Sequence, residues 1–241
     1  MGNPCIAHRG WSGKAPENTL AAIVKALNHP QIDGIEIDVQ LSKDGIPVII
    51  HDFTLERTTS GRGKVGDQTY ADLEKLEAGS WFSREYAEEK IPSLEQVLIA
   101  GKGKKTINLE LKKAGNLYPQ LEEIVIELVR KHGMQDQIVL TSFDHFSVQK
   151  AKALAPEIKA GPIISGNLVL LQEQLKAMQA DLVSMDHEFL TSERVEQLFD
   201  SQIDLMVWTV NHPHQMQEIR SLSDQVWICT NHPDQWFTLL S

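Results

Sequence analysis

Short β-branched runs alternate with longer amphipathic runs along most of the chain. In GIEIDVQ, residues 34–40, apolar and polar side chains alternate with a period of two, as in a strand with one face turned to a hydrophobic layer. In LEEIVIELVR, residues 121–130, the apolar spacing is helical, and His132-Gly133 supplies a stop. Read in this way, strands are expected at Pro4–Ala7, Gly34–Gln40, Thr106–Leu111, Gln137–Thr141, Lys159–Ile164, Leu182–Met185, Asp204–Thr209 and Val226–Cys229. Helices are expected to begin near Asn18, Ser93, Leu117, His145, Asn167, Ser192 and His214, with a last one near Pro233. Eight strands, each followed by a helix, predict a parallel (β/α)₈ barrel of the TIM type. The 241 residues fit one such domain, residues 1–241.

One stretch departs from the alternation. Strand two continues through LSKDG into IPVIIHD, and Asp44-Gly45 is a strong two-residue hairpin signal. Residues from about 53 to 90 are irregular and rich in Gly, Arg and Asp, which reads as an insertion over the barrel mouth or as a plain surface excursion.

Composition narrows the class. With 41% hydrophobic and 23% charged residues, the chain resembles ordinary globular proteins, so disorder is not expected to dominate. No apolar run approaches the roughly 18 residues of a membrane span, and no signal-peptide pattern opens the chain, so a cytoplasmic protein without stable membrane insertion is expected. Cys5 and Cys229 are too few for a disulfide framework and read as small buried hydrophobes. The formal net charge of -10 argues against nucleic acid or an anionic membrane as the main partner. It also means that an anionic substrate would need a bound metal and local cations to reverse the sign at its site. The oligomeric state is not legible.

Against that charge, the strand-end residues gain meaning. Glu36 and Asp38 share one face of strand two, while Ile35, Ile37 and Val39 share the other. Two carboxylates inside a barrel need either a salt-bridge partner or a divalent cation. Oxygen ligands alone suit Mg²⁺, Ca²⁺ or Mn²⁺ rather than Zn²⁺. If Asp44 and Gly45 form the turn, the count down the hairpin sets Asp38 opposite His51. A bulge at Pro47 would shift that register by one residue. His8 and Arg9 end strand one, beside strand two, and the planar guanidinium of Arg9 suits phosphate oxygens. Strand three ends INLELKK, whose Asn108, Glu110 and Lys112 share a face and add a third carboxylate and a further cation. In KAPENTL, Asn18 reads as a helix N-cap, and Glu17 could hold His8 or Arg9. Trp208 ends strand seven, where it is either an apolar wall against a substrate or a packed core residue. The remaining histidines fall in expected loops or helix ends and are assigned no chemistry.

The ordered set of motifs resembles the glycerophosphodiester phosphodiesterase family. It comprises His8-Arg9-Gly10, Pro16-Glu17-Asn18-Thr19, Glu36-Ile37-Asp38-Val39, and Lys43-Asp44-Gly45 through His51-Asp52. It continues with Leu55-Glu56-Arg57-Thr58-Thr59, Ile91-Pro92-Ser93-Leu94, Asn108-Leu109-Glu110-Leu111-Lys112, Trp208-Thr209-Val210-Asn211 and Thr230-Asn231-His232-Pro233. The resemblance implies a TIM-type barrel with a small insertion after strand two. It further implies one divalent cation held by Glu36, Asp38 and Glu110, and acid–base work by His8 and His51. Arg9, Lys112 and Trp208 are then expected to contact a small glycerophosphodiester, with glycerol 3-phosphate and an alcohol as products. A lysophospholipid or phosphoinositol diester at the same centre, and a non-catalytic barrel scaffold, are the competing expectations. Asn231-His232 departs from the pattern, which has Asp and a basic residue there.

Overall fold

A computed structural model describes residues 2–240 of the chain. Eight parallel strands close into a barrel: β1 (Cys5–His8), β2 (Gly34–Leu41), β4 (Thr106–Leu111), β5 (Ile138–Ser142), β6 (Lys159–Ile164), β7 (Leu182–Asp186), β8 (Asp204–Trp208) and β9 (Trp227–Thr230). β1 pairs with both β2 and β9, which leaves no open edge in the parallel ring. The ninth strand, β3 (Pro47–Ile49), runs antiparallel to β2. Helices α1 (Leu20–Leu27), α3 (Leu94–Gly101), α4 (Leu121–His132), α5 (His145–Leu154), α6 (Leu171–Met178), α7 (Ser192–Asp200), α8 (Pro213–Leu222) and α9 (Pro233–Leu240) follow successive barrel strands. The (β/α)₈ expectation holds.

Period-two alternation sorts the strand side chains. Ile35, Ile37, Val39, Ile107, Leu109 and Leu111 are all buried in the main apolar cluster, together with the helices. Each removes enough apolar surface from water to contribute roughly 2 kcal/mol. Glu36, Asp38, Asn108 and Glu110 alternate with them on the other face, and are buried as well. Ile6, Met206 and Cys229 form a separate small apolar cluster, against which Trp208 packs.

Three helix starts differ from the expectation, two of them for an evident local reason. The N-cap of α1 is Thr19, whose hydroxyl accepts from the Ala22 N–H, and Asn18 is freed for another partner. Helix α4 begins at Leu121 rather than near Leu117, because Pro119 bars helical backbone just before it and Tyr118 adopts φ +54°. Helix α6 begins at Leu171 rather than near Asn167. Helix α3 starts as predicted, at a capping box between Ser93 and Gln96.

The hairpin also differs by one residue. Ser42 N–H donates to the Ile46 carbonyl, so Lys43, Asp44 and Gly45 form a three-residue loop, and Gly45 takes φ +78°. A left-handed glycine closing such a loop forms a bulge. The register therefore pairs Val39 with Ile49, and the Ile50 N–H with the Asp38 carbonyl, not Asp38 with His51. Between β3 and α3 the chain makes 3₁₀ turns at Val65–Asp67 and Arg84–Tyr86 and a short helix, α2 (Tyr70–Leu73). Ile50, Leu55, Val65, Leu73 and Ile91 bury one another there in a small cluster of their own. The Tyr86 hydroxyl donates to the Lys14 carbonyl, and Glu89 accepts from the Ala21 N–H, so this segment packs on the β1–α1 loop.

Candidate active site

The carboxyl ends of the barrel strands surround a cavity lined by His8, Arg9, Glu36, His51, Glu110 and Trp208, among others. The parallel ladder sets His8 beside Glu36, and Asp38 beside Glu110, so three strands deliver their polar ends to one point. Glu36, Asp38 and Glu110 each offer an oxygen within 4.8 Å of the others, and all three are buried. Burial and its carboxylate neighbours push the Glu36 carboxyl well above the ordinary range. Burial and Asp38 likewise push Glu110 up to about 7. Burial opposes ionisation of Asp38 too, but Lys112 and Arg9 outweigh it and hold that carboxyl low.

This cluster fits a divalent cation on the chemistry of its donors. The donors are all oxygens, the preference of hard cations. Glu36 Oε1 and Asp38 Oδ1 are buried and lack a hydrogen-bond partner among the described residues. Such atoms cost free energy unless a charge or donor meets them.

Cations crowd the same spot. Lys112 Nζ lies 2.8 Å from Glu110 Oε1 and 3.5 Å from Asp38 Oδ1. Arg9 donates through NH1 to Glu17 Oε1 at 2.8 Å, and its Nε lies 3.4 Å from Asp38 Oδ2. The Arg9 backbone stands at φ +56°, which turns its N–H onto Glu36 Oε2 at 3.0 Å. A non-glycine residue in that region is strained by about 1–3 kcal/mol, and such strain clusters at functional sites. Gly10 follows at φ +74°, and a Cβ there would stand 2.7 Å from the Ala22 carbonyl carbon, so only glycine lets the strand exit against α1.

Both histidines are oriented through Nδ1. His8 Nδ1 lies 2.7 Å from Asn231 Oδ1, and its Nε2 lies 3.7 Å from Glu36 Oε2. Burial and the nearby Arg9 lower the His8 pKa to about 4, so its ring is neutral at pH 7. His51 Nδ1 lies 2.6 Å from Asp52 Oδ1, and burial lowers its pKa too. Asn231 and Asp52 are acceptors, so each network places the ring hydrogen on Nδ1 and leaves Nε2 open. His51 reaches the cavity although the hairpin count that pointed to it was off by one. Strand β3 ends at Ile49, and the segment beyond follows Gln40 instead. The Gln40 amide donates to the carbonyls of Ile50, His51 and Asp52 and accepts from the Tyr118 hydroxyl.

Five neighbours were not legible as site residues. Asn18 is not a cap: it stands at φ +59°, and its amide donates to Asp38 Oδ2 at 2.8 Å. Asn231 holds His8. Asp52 and Arg57 hold His51, with Arg57 Nε 2.7 Å from Asp52 Oδ2. Phe143 meets Trp208 edge to face, with ring centroids 5.6 Å apart, and both line the cavity. The family-like motifs around Asn18, Asp52 and Arg57 were the available signal. For Phe143 there was none.

Comparison with known proteins gives a consistent result. A model of the glycerophosphoryl diester phosphodiesterase family matches residues 8–235. The chain is 37% identical over 215 residues to a glycerophosphodiester phosphodiesterase of Caldanaerobacter subterraneus, covering 89% of this chain and 88% of that one. It is 36% identical over 232 residues to a putative glycerophosphodiester phosphodiesterase of Bacillus subtilis, covering 95% and 94%. Among solved structures, an Oleispira antarctica phosphodiesterase in complex with the product sn-glycerol-3-phosphate superposes with a TM-score of 0.93 at 33% identity, covering 100% of this chain and 98% of that one.

Proposed function

The chain belongs to the glycerophosphoryl diester phosphodiesterase family, and from that premise we propose that it hydrolyses glycerophosphodiesters to glycerol 3-phosphate and an alcohol by metal-assisted acid–base catalysis. The observation that carries the reading is the convergence of three buried carboxylates, two oriented histidines and Arg9 on one cavity. Glu36, Asp38 and Glu110 are the residues to hold the cation, with Mg²⁺, Ca²⁺ or Mn²⁺ favoured by an all-oxygen donor set. When bound, such a cation supplies charge neutralisation at the phosphate.

The remaining steps belong to side chains of the chain itself. Arg9 lines the cavity and offers a planar fork to a phosphate oxygen, while Glu17 and Asp38 fix its angle. Lys112, held between Glu110 and Asp38, adds positive potential behind the developing charge. One histidine takes a proton at Nε2 from the attacking hydroxyl. The other must carry a second proton at Nε2, which the negative charge of a bound phosphate favours, and it gives that proton to the departing alkoxide. The proton balance is the same whether water attacks or the neighbouring glycerol hydroxyl attacks first. Trp208 and Phe143 form an apolar wall, and the indole N–H, buried without a partner among the described residues, is a donor for a substrate oxygen.

The test is release of glycerol 3-phosphate from glycerophosphocholine before chelation, after it, and after return of each metal. Loss in chelator with recovery on one or more of the three cations is the expected result. Full activity in excess chelator would refute the metal assignment.

A further inference from the structure

Arg57 lies in the segment between β3 and α3, within the LERTT motif, and the reaction as written gives it no task. Its guanidinium nevertheless makes four hydrogen bonds. Nε and NH2 donate to the two oxygens of Asp52 at 2.7 and 2.9 Å. NH1 and NH2 donate to the two oxygens of Glu17 at 2.9 and 2.8 Å. Glu17 Oε1 also receives Arg9 NH1, and Asp52 Oδ1 also meets His51 Nδ1. The five side chains thus form one alternating chain: Arg9, Glu17, Arg57, Asp52, His51.

Two facts separate this arrangement from an ordinary surface ion pair. The Arg57 side chain is 43% exposed, so solvent screening leaves its pairs little weight in folding stability. Its geometry is nonetheless fully specified, because both carboxylates are gripped through two oxygens each, which a lysine could not reproduce. A group with weak leverage on stability and tight control of two neighbours acts on their orientation.

We propose that Arg57 is a positioning residue for the hydrolysis, setting His51 through Asp52 and Arg9 through Glu17. The proposal rests on the roles assigned to His51 and Arg9 above. The Asp52 branch fixes the Nδ1–H of the ring and so aims Nε2 into the cavity. The Glu17 branch fixes the fork that meets phosphate. Partners that orient reacting groups from behind typically account for about 10- to 100-fold in activity.

The two branches have separable readouts: kcat for His51, and the inhibition constant of glycerol 3-phosphate for Arg9. R57A is expected to lower kcat about tenfold or more and to weaken glycerol 3-phosphate inhibition several-fold. In a D52N background, R57A should weaken inhibition but leave kcat nearly unmoved. In an E17Q background it should lower kcat but leave inhibition nearly unmoved. R57K should recover only part of either, and it keeps the test open if R57A folds poorly. R57A and R57K with both constants within twofold of the parent overturn the proposal. So do R57A effects of equal size in the parent, D52N and E17Q backgrounds, which would mark a general structural role. The parent reading fails separately, if H51A and R9A retain normal turnover.

Discussion

His51 Nδ1 and Asp52 Oδ1 stand 2.6 Å apart although the two residues are adjacent in sequence. Neighbouring side chains meet in this way only where the backbone has left the strand, and β3 ends at Ile49. The contact fixes one tautomer of the ring. D52N should therefore lower kcat by about 10- to 100-fold while the melting temperature changes little, because Asp52 is partly exposed. Steady-state kinetics beside a thermal melt would check it, and unchanged turnover would remove Asp52 from the orienting role.

Asn231 does the corresponding task for His8 through a 2.7 Å contact that also takes the Ser12 hydroxyl. N231A should cost about tenfold or more in kcat. N231D restores an acceptor of the kind that the family pattern carries there and should retain most of the activity. If both variants behave alike, the hydrogen bond to the ring is not what matters at this position.

The acidic cluster predicts an effect on folding as well as on turnover. Three buried carboxylates repel one another in the absence of a cation. Binding at about 100 times Kd would stabilise the fold by roughly 2.7 kcal/mol. A thermal melt in chelator, then with each metal, should show that rise. E36Q should melt at or above the parent temperature in chelator and lose the gain from metal. A metal-induced rise of the same size in E36Q would exclude Glu36 as a ligand.

Glu122 provides a stability prediction remote from the chemistry. Its carboxylate is fully buried and bonds to Lys113, Ser147 and Lys150. Burial opposes its ionisation, but those donors prevail and hold its pKa below the ordinary 4.5. A depressed carboxyl pKa contributes stability above the unfolded value and loses it as pH falls through the folded one. E122Q should destabilise by roughly 3 kcal/mol at neutral pH. The gap between E122Q and the parent should narrow below about pH 4.5 and close as the folded carboxyl protonates. Denaturant titration at several pH values tests this, and a gap independent of pH would show that ionisation of Glu122 adds nothing.

The barrel was legible because alternation in segments such as GIEIDVQ and INLELKK divides residues facing the barrel interior from those facing the helices without outside information. The convergence of His8, Glu36, Asp38 and Glu110 followed from strand adjacency alone. The hairpin register did not, since Asp44-Gly45 suits a two-residue turn as well as the last two positions of a three-residue loop. Asn18 was misread because a capping side chain and one that reaches a neighbouring strand have the same chemistry. Which applies depends on a left-handed backbone that sequence does not display. Asn231 lies 223 positions from His8, so that contact exists only after the ring closes, and Arg57 meets Glu17 across 40 residues only once β1 and β2 have paired.

Gln40 has a consequence for how such a centre can be rebuilt. Where the antiparallel ladder stops, one side-chain amide takes over and anchors the three carbonyls of Ile50, His51 and Asp52 to the barrel wall. Beside His51 the joint between scaffold and excursion is therefore made by one side chain, while Tyr86 and Glu89 tie the later part of the segment to Lys14 and Ala21. A graft that retains Gln40, Tyr118 and residues 50–52, with the Arg57 to Glu17 clasp, would carry a foreign loop without moving His51.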